Sequence, residues 1–257
     1  MGAIGHNGSD IPSLGRAPSY GGRWEAPKRR IYWHRRFCCY ERWAVIRARY
    51  AVIGSAEFSE TRITPRFNIS PTQEVPIVRR GEAGNELAVV RWGLIPFWSK
   101  DAKIASRCIN ARSETVAEKP AFRAAWRAGR RCLIPASGFY EWDQHVKPKQ
   151  PYLIRQRDGE PMTFAGLWER WKQPDGTPLD TCTILTTAAN AAISPLHDRM
   201  PVMLSHEAGA AWIDARTSPD DLARAFLPDA APLLETVAVS SAINRPSFEG
   251  SDPISAV

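Results

Sequence analysis

The sequence predicts an α+β protein: one β-rich domain with helices at its periphery. Three observations carry that reading. Short apolar runs of strand length recur through most of the chain, separated by Pro, Gly and Asn punctuation. Helical periodicity is confined to a few short windows. A length of 257 residues suffices for one sizeable core, and no internal repeat divides it.

Residues 1–48 carry neither period. Gly, Pro and Ser fill the first half, and Arg, Trp and Tyr crowd the second, as in RRIYWHRRFCCYERW. Such a segment reads as a disordered or non-native extension, or as a basic, aromatic arm for single-stranded bases. The domain is then expected over residues 49–257. RYAVIGS reads as its opening strand, PRFNISP as loop punctuation and VPIVRR as a second strand. ELAVVRWGLIPFW is a strand ended by Pro96, with Phe97 and Trp98 at its mouth. A helix is expected over Glu114 to Arg127, with Phe122 and Trp126 on one face. Cys132 to Ile134 has the apolar density of a buried strand, and Gly138 breaks it. PYLIRQ, MTFAGLWERW and TCTILTTAA follow as strands, and AAISPLHDRMPVML leads from a Pro-broken loop into another. His206–Ala215 and Pro219–Phe226 read as helices, LETVAVSS closes as a strand, and the tail from Pro246 is polar loop.

Composition narrows the function classes. No apolar run approaches membrane-spanning length, and the start MGAIGHNGSD lacks a signal-peptide core, so a cytoplasmic protein is expected. Five cysteines without CxxC spacing argue against a disulfide framework and a zinc site. The net charge of +7 is concentrated: residues 1–48 hold nine Lys/Arg against three acids, leaving the remainder near neutral. Bulk charge therefore does not argue for nucleic-acid binding by the main body; the placement of individual arginines must.

Asn110, Glu141 and His197 each fall where a strand gives way to a loop, the place where catalytic groups collect. Phe139, Tyr140 and Trp142 surround Glu141, and poor hydration there is expected to raise its pKa and suit it to acid/base work. A plain ion pair with one of the many arginines is the competing reading. Cys108, Cys132 and Cys182 sit in apolar runs and read as core; a Cys132–His197–Asn110 peptidase constellation is a weaker alternative.

Seven ordered segments add a family resemblance: RFNISPTQEVPIV, RWGLIPFW, INARSET, CLIPASGFYEW, FAGLWERW, TCTILTTAAN and LHDRMPVML. Together they resemble the SRAP family, the SOS response-associated peptidases or abasic-site processing proteins. The resemblance implies an irregular β-barrel-like core and a DNA-damage role. It further implies covalent capture of abasic sites in single-stranded DNA through a thiazolidine formed by an N-terminal cysteine, which autopeptidase activity exposes. Glu141 then matches the acid/base carboxylate, His197 the histidine assisting ring opening, and Asn110 the amide orienting the sugar. Arg49, Arg112 and Arg199 match phosphate-facing arginines, while Asn68, Phe97, Trp98 and Thr187 fall in segments lining the DNA path. A monomer without cofactor or metal is expected.

One departure is serious. The family begins close to Met-Cys-Gly-Arg-Tyr, and alignment on Arg49-Tyr50 puts Arg47 in the cysteine's place. Three accounts follow: a start or reading frame that differs from the functional one, a member that binds without cross-linking, or proteolytic exposure of Cys38 or Cys39.

Overall fold

The computed structural model describes residues 36–53, 63–214, 216–224, 226–228 and 231–248. In chain order the elements are β1 (Phe37–Cys39), α1 (Trp43–Arg49), β2 (Arg66–Ile69), β3 (Glu74–Arg80), β4 (Asn85–Trp92), β5 (Asn110–Arg112), α2 (Arg123–Arg127), β6 (Arg131–Ala136), β7 (Gly138–Trp142) and β8 (Pro151–Gln156). They continue with β9 (Met162–Lys172), β10 (Pro178–Ala188), β11 (Arg199–Pro201), α3 (His206–Ile213), α4 (Pro219–Arg224) and β12 (Leu234–Ala238). Among the described residues no helix is long and apolar enough to cross a membrane.

A seven-stranded sheet runs β11-β10-β4-β3-β6-β9, with β5 attached to β10 as the seventh strand, and β9 pairs back onto β10. Strands β10, β4, β3, β6 and β9 therefore close into a ring, which leaves those strands no open edge. Strand β10 makes this possible by changing partners along its length. Its first part pairs antiparallel with β9 and, at Thr181 and Cys182, parallel with β4. Its last part pairs parallel with β5 and antiparallel with β11. Closure depends on Gly166 in β9, where an added Cβ would lie 2.8 Å from Ile134 Cδ1 and 2.9 Å from both Cys132 Sγ and the Thr183 carbonyl. The Trp212 indole N–H of α3 locks this seam, donating to the Cys132 and Gly166 carbonyls at 3.0 and 3.2 Å.

The second sheet has the order β12-β8-β7-β1-β2. Alternation along its strands separates two faces. Phe37 and Phe139 point to the barrel: Phe37 meets Trp92 of β4 at 5.2 Å and Phe164 of β9 at 6.2 Å, and Phe139 meets Phe164 at 6.0 Å, all edge-on. Cys38 and Tyr140 point the other way, into a smaller cluster with Leu153, Val239 and Ile243.

Several elements differ from the sequence-based expectation. The boundary at residue 49 falls at the end of α1, and β1 and α1 both belong to the folded body. Phe37, Cys38, Cys39 and Ile46 are buried, so residues 36–48 are not an unpacked extension. The expected strand RYAVIGS is the end of α1 and a turn with Ala51 at φ 46°; only Val52 makes a bridge, to Asn85, and residues 54–55 lie outside the described residues. RFNI is strand β2 rather than loop, because its flanking prolines lie just outside the ladder. The long helix over 114–127 shrinks to α2, since Pro120 disfavours helical geometry in the residue before it. The strand through Trp92 stops three residues before the expected Pro96, at Gly93, whose φ of 122° and 2.9 Å approach to the Ala105 carbonyl exclude a side chain.

Candidate functional site

Glu141 lies on β7 two residues beyond Phe139, so the pleat sends both side chains to the barrel face, and Glu141 is only 2 % exposed. Strand β1 runs antiparallel to β7, with Phe37 opposite Phe139 and Cys38 opposite Gly138. The Tyr140 N–H donates to the Arg36 carbonyl at 3.1 Å, continuing that ladder. The N-terminal end of β1 therefore arrives at the Glu141 end of β7. Gly138 lets β8 approach β7 closely, since a Cβ there would sit 2.7 Å from Leu153 Cδ1 and 2.8 Å from the Ile154 carbonyl.

A clasp holds this end of β1. The Arg36 guanidinium donates to the carbonyls of Ile243 and Asn244 (2.9 Å) and to Asn68 Oδ1 at 3.1 Å, and lies 6.0 Å from the Trp142 ring centre. Asn68 returns two bonds from its amide, to the Ile243 and Arg245 carbonyls at 3.3 and 2.7 Å. Trp142 Nε1 donates to Asn244 Oδ1 at 2.7 Å. Burial of the Arg36 guanidinium lowers its pKa.

Asn110 stands at the start of β5 opposite Ile184 of β10, with exposed Arg112 opposite Thr186. The Trp92 indole, which carries the Phe37 contact, also donates to the Ile109 carbonyl at 2.8 Å. One aromatic side chain thus links the strand beside Glu141 to the residue preceding Asn110. On the other side of β10, the Arg199 N–H donates to His197 Nδ1 at 3.0 Å, and Asp198 Oδ1 lies 3.1 Å from the same nitrogen. An amide N–H can only donate, so in the neutral ring Nδ1 accepts and Nε2 carries the proton. The aspartate contact can be a hydrogen bond only when Nδ1 itself carries a proton.

Some expected DNA contacts are placed differently. Asn68 is fully buried in the clasp, and the Thr187 hydroxyl donates to the Phe226 carbonyl at 2.6 Å, so both hold the fold together. Arg199 forks onto Glu114, with its second N–H group at 2.8 Å, and also reaches the Thr186 carbonyl at 2.6 Å; its side chain is 9 % exposed. Arg49 caps the β8–β9 turn, donating to Glu160 at 3.2 Å and the Pro161 carbonyl at 3.0 Å. Arg47 lies on α1, not on the strand that meets Glu141, because the sheet's first strand is β1. Phe97 and Trp98, by contrast, are among the exposed large apolar side chains. Their turn is anchored from below by Trp171 Nε1 donating to the Ser99 carbonyl at 2.7 Å. Exposed Lys100, Lys103 and Arg107 follow in the sequence, a basic neighbourhood that the expected site residues omitted. Cys132 is inside the barrel wall with its thiol pushed far up by burial, which removes the peptidase constellation.

The sequence matches the SOS response associated peptidase (SRAP) family over residues 35–246. The chain belongs to the SRAP family. The match begins one residue before Arg36, in keeping with β1 as the first strand of the domain. The abasic site processing protein YoaM of Bacillus subtilis is 41 % identical over 201 residues, covering 77 % of this chain and 88 % of the relative. The abasic site processing protein YoqW of Bacillus phage SPbeta is 43 % identical over 184 residues, covering 71 % and 82 %. The chicken abasic site processing protein HMCES is 33 % identical, covering 60 % of this chain and 55 % of that protein. Among solved structures, a Bacteroides thetaiotaomicron protein superposes with a TM-score of 0.75 at 25 % identity, covering 85 % of this chain and 97 % of the other. A Bordetella bronchiseptica protein superposes at 0.68 with 29 % identity, covering 80 % and 99 %. The SRAP-like α+β fold with its barrel-like sheet is thereby shown.

Proposed function

We propose that this protein recognises abasic sites in single-stranded DNA and works on them where β1 meets Glu141. The meeting of these two strand ends is the observation that carries the reading. It brings the first of the described strands to a buried carboxylate, as capture by a residue heading that strand demands. The names of the bacterial and phage relatives supply the substrate class. Exposed Phe97 and Trp98 suit sequence-tolerant base stacking, and exposed Arg112 suits a phosphate. Glu141 and His197 serve as the acid/base pair, and Asn110 orients the sugar.

Counting along the sequence supports another position for the missing nucleophile. The family's cysteine stands two residues before an arginine, and Arg36 directly precedes β1, so counting back in the sequence gives His34 rather than Arg47 as the cysteine's place. A histidine has no thiol to close a thiazolidine. The chain as written is therefore a reversible binder, and covalent capture belongs to a form in which cysteine heads β1. Cys38 and Cys39 are not substitutes: both are buried within β1, and burial pushes the Cys39 thiol up to about 12.

Fluorescence anisotropy with labelled single strands, abasic and intact, tests the recognition directly. Tighter binding to the abasic strand is expected, with no adduct on a denaturing gel. Equal affinity for both strands would remove the abasic site from the proposal.

A further inference from the structure

We propose that Glu114 is a positioning residue for His197, acting through Arg199. The inference deepens the proposed function, and only its kinetic arm rests on that function. Three contacts form one chain of constraint. The Glu114 carboxylate takes both terminal nitrogens of Arg199, one of them at 2.8 Å. The same guanidinium crosses β10 to the Thr186 carbonyl at 2.6 Å, which also accepts the Ser113 N–H at 2.9 Å. The backbone N–H of Arg199 then donates to His197 Nδ1 at 3.0 Å. Glu114 thus grips, through its side chain, the residue whose main chain grips the imidazole.

The geometry has a chemical consequence. While the amide holds Nδ1, the neutral ring must present Nε2–H as a donor. Asp198 Oδ1, 3.1 Å from Nδ1 on a largely exposed side chain, competes by favouring a proton on Nδ1. The clamp on Arg199 opposes that competitor by fixing the amide in place. An arginine whose side chain is 9 % exposed cannot readily replace its carboxylate with water, so losing Glu114 shifts Arg199 and with it the amide. The clamp also ties the β5 end, which carries Asn110 and Arg112, to the strand that carries Arg199 next to His197.

Long-range proton–nitrogen correlation spectra of the ¹⁵N-labelled full chain read the tautomer. The His197 signals are assigned by their loss in His197→Gln. In the unsubstituted protein the neutral His197 is expected as the Nε2–H form. Glu114→Gln is expected to move both ring nitrogens towards the averaged shifts of mixed tautomers, and Glu114→Asp to restore the original pattern. In single-turnover reaction with abasic single strands, using a cysteine-headed chain, Glu114→Gln is expected to slow the step roughly tenfold while affinity for intact strands stays within about twofold. An Nδ1–H form in the unsubstituted protein overturns the proposal, whether or not any variant folds. So does an unchanged tautomer in a folded Glu114→Gln. If the unsubstituted cysteine-headed chain does not react, the functional reading fails alone, and the spectra still decide the positioning.

Discussion

Replacing Phe37 by Ala tests whether β1 is part of the core or the end of an extension. Phe37 is 1 % exposed, faces Trp92 and Phe164 edge-on, and pairs across the ladder with Phe139. Removing the ring forfeits about 1.5–3 kcal/mol of apolar burial. The void left among three other aromatic rings adds to that, because close-packed rings relax only partly, and Phe→Ala changes in cores cost about 3–5 kcal/mol. For a domain near this size each kcal/mol lowers Tm by roughly 2–4 °C, so a loss of about 4 kcal/mol corresponds to roughly 8–16 °C. Urea unfolding followed by tryptophan fluorescence measures the change, with Val45→Ala on the exposed side of α1 as a control expected within about 0.5 kcal/mol. A Phe37→Ala variant as stable as that control would refute the packing argument and return the domain boundary to residue 49.

Other outcomes follow from the same contacts. Arg36→Gln should weaken the clasp on residues 243–245 and speed amide exchange there, with less change in the β9–β10 ladder; uniform exchange would mean that the clasp is not a local device. All five cysteines are buried, and burial raises Cys108 to about 11 and Cys39 to about 12, so thiol reagents near pH 8 should label the native protein slowly and the unfolded chain fully. The Arg199 fork holds the Glu114 carboxyl below the usual carboxylate range, so this pair stabilises the fold above the unfolded value of about 4.3 and loses that contribution as pH falls through the lower folded value. Glu114→Gln should accordingly flatten the acid limb of the stability curve. Arg112→Gln should reduce the salt dependence of single-strand binding by about one phosphate; an unchanged slope removes Arg112 from the interface.

The sequence made the barrel legible because its strands carry local signals. MTFAGLWERW and TCTILTTAA are long, β-rich runs, and both became eleven-residue strands. Strand β1 was illegible for a physical reason. It has three residues, no alternation, and basic neighbours such as Arg36, whose partners Ile243 and Asn244 lie more than two hundred positions away. Its trace is the uninterrupted apolar triplet Phe37-Cys38-Cys39, fitted to a strand covered on both faces. The candidate site divides along the same line. Asn110, Glu141 and His197 could be read as strand-end residues from their surroundings. That Arg199 is consumed by Glu114, and Asn68 by Arg36 and the C-terminal carbonyls, depends on partners that no local pattern announces.

Placing cysteine at the head of β1 tests the proposed capture chemistry in a single reaction. A chain without residues 1–33 and carrying His34→Cys as its first residue after methionine removal is mixed with abasic single strands and weighed by intact mass. The expected product is an adduct of one protein and one oligonucleotide, less one water, that survives denaturation and is abolished by Glu141→Gln, while the full chain gives none. A folded cysteine-headed chain that binds abasic strands but forms no adduct would contradict the placement of the nucleophile beside Glu141.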